Sequence, residues 1–232
     1  MHVEIITPEQ LLEGTVLFFN KPINWTSFDV VNKVRYQIKL QKNISKIKVG
    51  HAGTLDPLAT GLLIVCTGKK TKEIDTFSGL DKEYIVTFKF GETTPSFDKE
   101  TEVDFTFPID HLNEELIRKV LNSFIGLQEQ MPPDFSAKKI MGKRAYKSAR
   151  LGKKPDLKPA MIEIKEIEII KINLPFITLR IVSGKGTYIR AIARDLGLVL
   201  NTGAYLTELK RTKIGKFTLD DAITVEQFQK ML

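Results

Sequence analysis

The chain of 232 residues holds one cysteine, one tryptophan and three histidines, and each scarcity removes a class of function. A single thiol, Cys66, cannot close an internal disulfide, which excludes the stapled frameworks of small secreted domains. His2, His51 and His111 are scattered, and with one thiol they offer no zinc-type ligand spacing, so no structural metal is expected. No apolar run reaches the length of a membrane span, and no charged-then-apolar leader opens the chain. No membrane partner is therefore expected, and the cytoplasm is the expected compartment. Internal repeats and low-complexity tracts are also missing.

What is there suits an ordinary core and an anionic partner. A chain of this length reads as one domain over 1–232. Its 35 Lys and Arg exceed its 28 Asp and Glu, for a formal net charge of +7. The distribution says more than the total: nine cationic side chains between Lys138 and Lys158 face the single acid Asp156. Segment 131–159, rich in proline and glycine as well as charge, reads as a protruding basic arm with a short helical stretch at 143–151.

Hydrophobic periodicity sketches the rest. Strands are expected at 15–19, 46–49, 62–66, 82–90, 162–172, 176–182 and 204–214. The strand at 162–172 slips phase near Lys165-Glu166 and again at Ile169-Ile170, which predicts bulges. Helices are expected from a cap at Ser27 through Ile38, at 70–77, from Asp110 to Phe124, at 188–200 and at 224–231, with 91–104 a polar loop. Strands outnumber helices and many are joined by hairpin-length turns. The expectation is an α+β fold with a mixed, largely antiparallel sheet and flanking helices.

The most informative segment is Gly50-His51-Ala52-Gly53-Thr54-Leu55-Asp56-Pro57-Leu58-Ala59-Thr60-Gly61, which runs into Leu62-Leu63-Ile64-Val65-Cys66. Pro57 biases Asp56 toward extended conformations, and the glycines permit angles or approaches a side chain would forbid. Such a loop can display one acid at the rim of a cleft; spacing alone favours instead a surface turn in which Asp56 caps an amide. Cys66 reads as a buried strand thiol without a basic neighbour. Ser183-Gly184-Lys185-Gly186-Thr187 looks like part of a phosphate-binding loop, but Leu179 stands where the first glycine belongs and Gly186 where Ser or Thr is required.

The aspartate loop resembles the catalytic motif of the TruB-type tRNA pseudouridine synthases. Further segments follow in the family's order: Val16 to Pro22 with Trp25-Thr26-Ser27, then Lys82-Glu83-Tyr84, then Met131-Pro132-Pro133 with Phe135 to Lys138. Ser183 to Arg190 and Leu209-Lys210-Arg211 complete the series. The resemblance spans nearly the whole chain and implies the pseudouridine synthase fold, with an active-site cleft across the middle of the sheet. It implies isomerisation of uridine 55 in the T loop of tRNA, the target base being flipped out of its stack. Nothing is oxidised or added in that reaction, so no cofactor is expected.

Residue roles come with the resemblance. Asp56 would be the nucleophile, and Arg190 its cationic partner, although alone it reads as a solvated helix arginine. Tyr84, by itself half-buried sheet packing, would stack on the target uracil and manage a proton. Leu209, core by default, would wall the base. Lys21 would brace the N-terminal segment near the aspartate loop, and His51 would fill the space the flipped base leaves. Tyr188 belongs to the matching GKGTYIR segment and is taken as substrate-binding. Lys143, Arg144, Lys147 and Arg150 would grip the T-arm stem-loop. A monomer without the family's C-terminal PUA domain is expected. The loop at 91–98 lacks one acid usual in the family, so only Asp98 carries over, without an assigned role. The other reading is a non-catalytic RNA-binding module or tRNA-folding chaperone, which would not need Asp56, Tyr84 and Arg190 together.

Overall fold

Residues 5–136, 139–140, 143–145, 151 and 155–232 are described by the computed structural model, which falls into two units. One comprises Met1–Tyr84 and Leu209–Leu232, the other Ile85–Glu208.

The first unit begins with a short helix, α1 (Pro8–Glu13), that the periodicity did not reveal; Thr7 and Gln10 close its N-terminus as a capping box. Strand β1 (Val16–Lys21) leads to helix α2 (Ser27–Lys42). The cap of α2 is Thr26, paired reciprocally with Asp29, and not Ser27 as expected. Val30, Val31, Val34 and Ile38 recur at helical spacing and are buried.

Strand β2 (Val49–Ala52) starts later than the alternation at 46–49 suggested, because its partner β3 (Thr60–Thr67) ends opposite Val49. The run Leu62 to Cys66 is apolar on both faces because both are covered. Leu63 and Val65 join a core with Phe19, Val31, Ile38 and Phe228, while Leu62, Ile64 and Cys66 join another with Ala52 and Ile214. Each such side chain contributes about 1.5–3 kcal/mol of burial. The expected helix at 70–77 is a 3-10 segment at Gly68–Glu73 followed by helix α3 (Ile74–Gly79). Strand β4 (Lys82–Phe90) then passes from the first unit into the second.

In the second unit the loop after β4 contains a two-residue pairing of β5 (Glu92–Thr93) with β6 (Phe105–Thr106). Helix α4 (Glu114–Ser123) begins four residues after Asp110, since Asn113 supplies the cap and Leu112 closes a preceding turn onto Ile109. Gly126 does not merely stop that helix: it opens strand β7 (Gly126–Gln130). In the arm, β8 (Lys139–Ile140) pairs with β9 (Lys143–Arg144), so residues 143–144 are extended and not helical. Ala145 is helical, and 146–150 of the expected helical stretch lie outside the described residues.

Strand β10 (Ala160–Asn173) pairs with β7 at one end and along its length with β11 (Phe176–Ser183). The register shifts between Ile164 and Glu166 and between Ile169 and Lys171, where the sequence pattern slips. Helix α5 (Ile189–Val199) contacts α4, burying Ile189, Ile192 and Leu196. Gly197 lets it approach the backbone of Gly203 and Ala204, where a Cβ would lie 2.3 Å from the Ala204 nitrogen. Strand β12 (Ala204–Ile214) returns to the first unit. Thr207 donates to the Thr87 carbonyl in the second unit, and Thr212 to the Glu83 carbonyl in the first, so β12 lies against β4 in each.

Back in the first unit, β12 pairs in parallel with β3, Lys210 opposite Thr60 and Arg211 opposite Gly61. Strand β13 (Phe217–Thr218) and helix α6 (Val225–Met231) complete that unit. Antiparallel pairs around the parallel β3–β12 pair, with helices packed on the strands, make the α+β fold the sequence led us to expect. Among the described residues, no helix is long and apolar enough to cross a membrane, and no group of three metal-ligating side chains occurs.

Candidate active site

Asp56 is half-buried in the loop between β2 and β3, and that loop is held by groups donated from the rest of the first unit. Ser27, released from capping duty, accepts from the Leu55 amide at 2.8 Å and donates to the Leu55 carbonyl at 3.2 Å. Asn24 donates its amide to the Pro57 carbonyl, and Ala59 closes a turn onto the Asp56 carbonyl. These bonds fix the backbone on both sides of the carboxylate.

Lys21 is fully buried at the end of β1. Its ammonium donates to the carbonyls of Trp25, Pro22 and Pro57 at 2.5, 2.8 and 3.3 Å. Three donors meet three acceptors, so the charge is hydrogen-bonded although buried. Burial still pushes its pKa down to about 8, while Asp56 and Asp29 pull it upward and Arg211 opposes them.

Arg211 is 1% exposed. Its Nε donates to the Leu62 carbonyl at 2.8 Å and its Nη2 to the Gly53 carbonyl at 3.1 Å, clamping β12 to both ends of the aspartate loop. The guanidinium is also hydrogen-bonded to the Tyr84 side chain; burial lowers its pKa and Tyr84 counteracts that. Because arginine only donates, the Tyr84 oxygen is the acceptor, which leaves the phenol proton to point elsewhere. Gly61 has φ +104° and lies where a Cβ would come within 2.2 Å of the Arg211 carbonyl oxygen, so a side chain there would part β3 from β12.

Other expected site residues of this unit surround the same loop. Tyr84 is buried in β4, Leu209 is half-buried in β12 with its carbonyl accepting from Thr60, and His51 is half-buried in β2 opposite Val65. Cys66 is fully buried, and burial raises its pKa to about 11, which keeps it an inert thiol.

In the second unit Arg190 stands in the first turn of α5, 3% exposed. It donates to the carbonyls of Ser96 and Phe135 at 3.0 and 2.8 Å, and its Nε lies 3.4 Å from the Asp98 carboxylate, which is itself 4% exposed. Asp98 thus acquires a partner that its sequence context did not supply. Tyr188 caps the same helix through its backbone, its amide donating to Gln130 and its carbonyl accepting from the Gln130 amide group. Lys143 and Arg144 lie on β9, whereas Lys147 and Arg150 fall outside the described residues.

Arg211, Ser27 and the Asp98 pairing escaped sequence reasoning. The available signal for Arg211 was its position two residues after Leu209, on the inward register of a strand where an apolar residue is the norm. Ser27 was hidden by its resemblance to a helix cap.

A family model described as TruB family pseudouridylate synthase (N terminal domain) matches residues 39–189. A second, the tRNA pseudouridylate synthase B C-terminal domain, matches residues 190–232. The chain is 53% identical to tRNA pseudouridine synthase B of Parabacteroides distasonis, over 95% of this chain and 94% of that protein. It is 49% identical to the protein of the same name from Flavobacterium johnsoniae, over 98% and 100%. Among solved structures it is similar to a chain in the crystal structure of a Cbf5-Nop10-Gar1 complex, with TM-score 0.71 and 26% identity. That match covers 96% of this chain and 60% of the other, so this chain spans less than two thirds of it.

Proposed function

Since the chain belongs to the TruB family of pseudouridylate synthases, we propose that it isomerises uridine 55 in the T loop of tRNA to pseudouridine, with Asp56 as the nucleophile. The observation that carries this reading is the Asp56 loop, whose backbone is pinned on both sides of the aspartate by Lys21, Ser27 and Arg211, the last of which also holds the Tyr84 oxygen.

The reaction breaks the bond from N1 of uracil to the ribose, turns the base and rejoins it through C5, with a proton leaving C5 and one gained at N1. A carboxylate on a fixed backbone serves the sugar step, since less energy is then spent on placing it as the bond changes. Tyr84 offers a ring on which uracil stacks and a hydroxyl to manage a proton, its oxygen already committed to Arg211. Arg190 is the cation we assign to keep Asp56 ionised when the base excludes water. Leu209 and His51 would bound the base pocket, with Tyr188 at the helix entry. Lys143, Arg144, Lys147 and Arg150 would bind phosphates of the T-arm. The protein would act as a cytoplasmic monomer and as one catalytic domain.

The test is incubation of the full chain with unmodified tRNA, followed by mapping of pseudouridine. Product at position 55, lost in Asp56→Asn, is expected. Binding of tRNA without any product would favour the non-catalytic reading, and product at another position would overturn the specificity.

A further inference from the structure

The second unit carries a feature that the Asp56 chemistry does not use. Along β4 and β11, Val86, Phe88, Ile177 and Leu179 point into the core, and the residues between them point the other way. Those outward residues line an open trough of about 510 Å³ on a stretch of sheet in the order β12, β4, β11, β10. That volume is in the range of small-ligand sites.

The trough floor is a built polar row. Thr207 donates to the Thr87 carbonyl at 3.0 Å, the hydroxyls of Thr87 and Thr178 share a hydrogen bond at 3.3 Å, and Lys171 stands opposite Thr178 in the ladder. The row crosses four strands, roughly 14 Å. Two residues along the β10–β11 ladder, Phe176 faces Asn173. Phe176 is 39% exposed, an aromatic face left open among hydroxyls and amides.

Charge completes the description. Lys89 is already paired with Glu92 at 2.6 Å. Lys99 and Lys171 also line the trough and make no hydrogen bond or ion pair among the described residues; Glu208 is the one acid in the lining. Two uncommitted ammonium groups suit phosphate, an exposed ring suits an unstacked base, and a carboxylate can accept from ribose hydroxyls or base N–H groups. A trough about 14 Å long, open to solvent, is longer than a mononucleotide needs. Paired bases in a duplex would not offer a free face to Phe176.

We propose that this trough binds a single-stranded stretch of RNA, with one base on Phe176 and neighbouring phosphates on Lys99 and Lys171. The proposal takes the polymer's identity from the RNA-modifying reading above, but uses no residue of the Asp56 site.

The experiment uses the full chain with a fluorescent eight-nucleotide uridine RNA in an anisotropy titration across a salt series, and a 4-thiouridine version for crosslink mapping. Crosslinks are expected in the peptide 171–178. Phe176→Ala is expected to weaken binding roughly tenfold. The pair Lys99→Ala and Lys171→Ala together should weaken it by a similar factor and lower the slope of log affinity against log salt by about 1.4. All three positions are exposed, and turnover of an isolated T-arm stem-loop should stay at the wild-type rate. Crosslinks absent from 171–178, or affinity unchanged in both variants, overturn the proposal. Uridine monophosphate binding as tightly as the octamer, with the same sensitivity to the variants, would make this a free-nucleotide site and also overturn it. If the octamer behaves as expected while wild type leaves the stem-loop unmodified, the tRNA reading fails and the trough stands.

Discussion

Arg211 in the first unit and Arg190 in the second are buried to nearly the same degree, 1% and 3% exposed, but they meet different partners. Arg211 donates to two carbonyls and a tyrosine oxygen, whereas Arg190 donates to two carbonyls and faces the Asp98 carboxylate. The first arrangement fixes where backbone and phenol sit without neutralising the cation locally. The second sets a carboxylate beside the cation and ties the loop around residue 98 to the start of α5. Carbonyl clamps hold position; a carboxylate clamp also holds charge, and losing either half of it strands the other.

The sharpest separation of clamp from chemistry is Asp56→Asn. The clamps around its loop bind backbone groups, so the variant should unfold within about 1 kcal/mol of wild type while pseudouridine formation falls by roughly a thousandfold or more. Thermal melts and single-turnover assays check both halves, and substantial residual turnover would remove Asp56 from the nucleophile's role.

Next in size is Arg190→Met, which leaves Asp98 buried without its cation and should cost about 3–5 kcal/mol in urea unfolding. Adding Asp98→Asn should restore a large part of that loss. For Arg211→Met the expected cost is about 2–3 kcal/mol, from buried carbonyls left without donors, and Asp98→Asn should give no rescue. Equal rescue of both would dissolve the distinction between the clamps.

Lys21 gives a smaller effect that is fully present only at high pH. Its pKa is about 8 in the fold, against about 10.4 for an unperturbed lysine in the unfolded chain. Between those values the unfolded chain holds the extra proton, so Lys21 should make stability rise with pH from 8 to 10.4, by at most about 3 kcal/mol. Below 8 both states are protonated and its slope vanishes. Denaturant titrations from pH 7 to 10.5 should show this rise in wild type and its loss in Lys21→Met; identical slopes would mean that Lys21 keeps an ordinary pKa. The smallest effect belongs to the surface: Glu13→Gln breaks the pair with Lys69, both side chains being about 70% exposed, and should cost no more than about 0.5 kcal/mol.

Sequence patterning was most informative where one physical rule acted alone. The phase slips in 162–172 appear as register shifts in β10, because a period of two has no other way to absorb an extra residue. The unbroken apolar run before Cys66 reports a strand covered on both faces. Patterning failed where two rules competed. Leu112 looked like the first core position of a helix, but Asn113 caps more effectively and leaves it in a turn. Strand β2 could not be placed from its own alternation, since its start depends on where β3 ends. At the site, the Asp56 motif was legible through resemblance, while Arg211 was hidden because a buried guanidinium is justified only by carbonyls distant in sequence.

The division of the chain also bears on its synthesis. Strand β3 receives β12 at Thr60 and Gly61 from residues 210–211, so the first unit is assembled from two segments that bracket the whole of the second. At bacterial or eukaryotic elongation speeds, roughly 6–25 s separate the translation of Tyr84 from that of Leu209. During that interval β3 has β1 and β2 but not β12, and the Arg211 clamp on the aspartate loop has not been made, whereas the second unit is continuous and has all its residues before the first. The order of emergence from the ribosome therefore makes ordering of the aspartate loop a late event, and leaves Thr60 and Gly61 at the start of β3 without their β12 partners until residues 209–232 arrive.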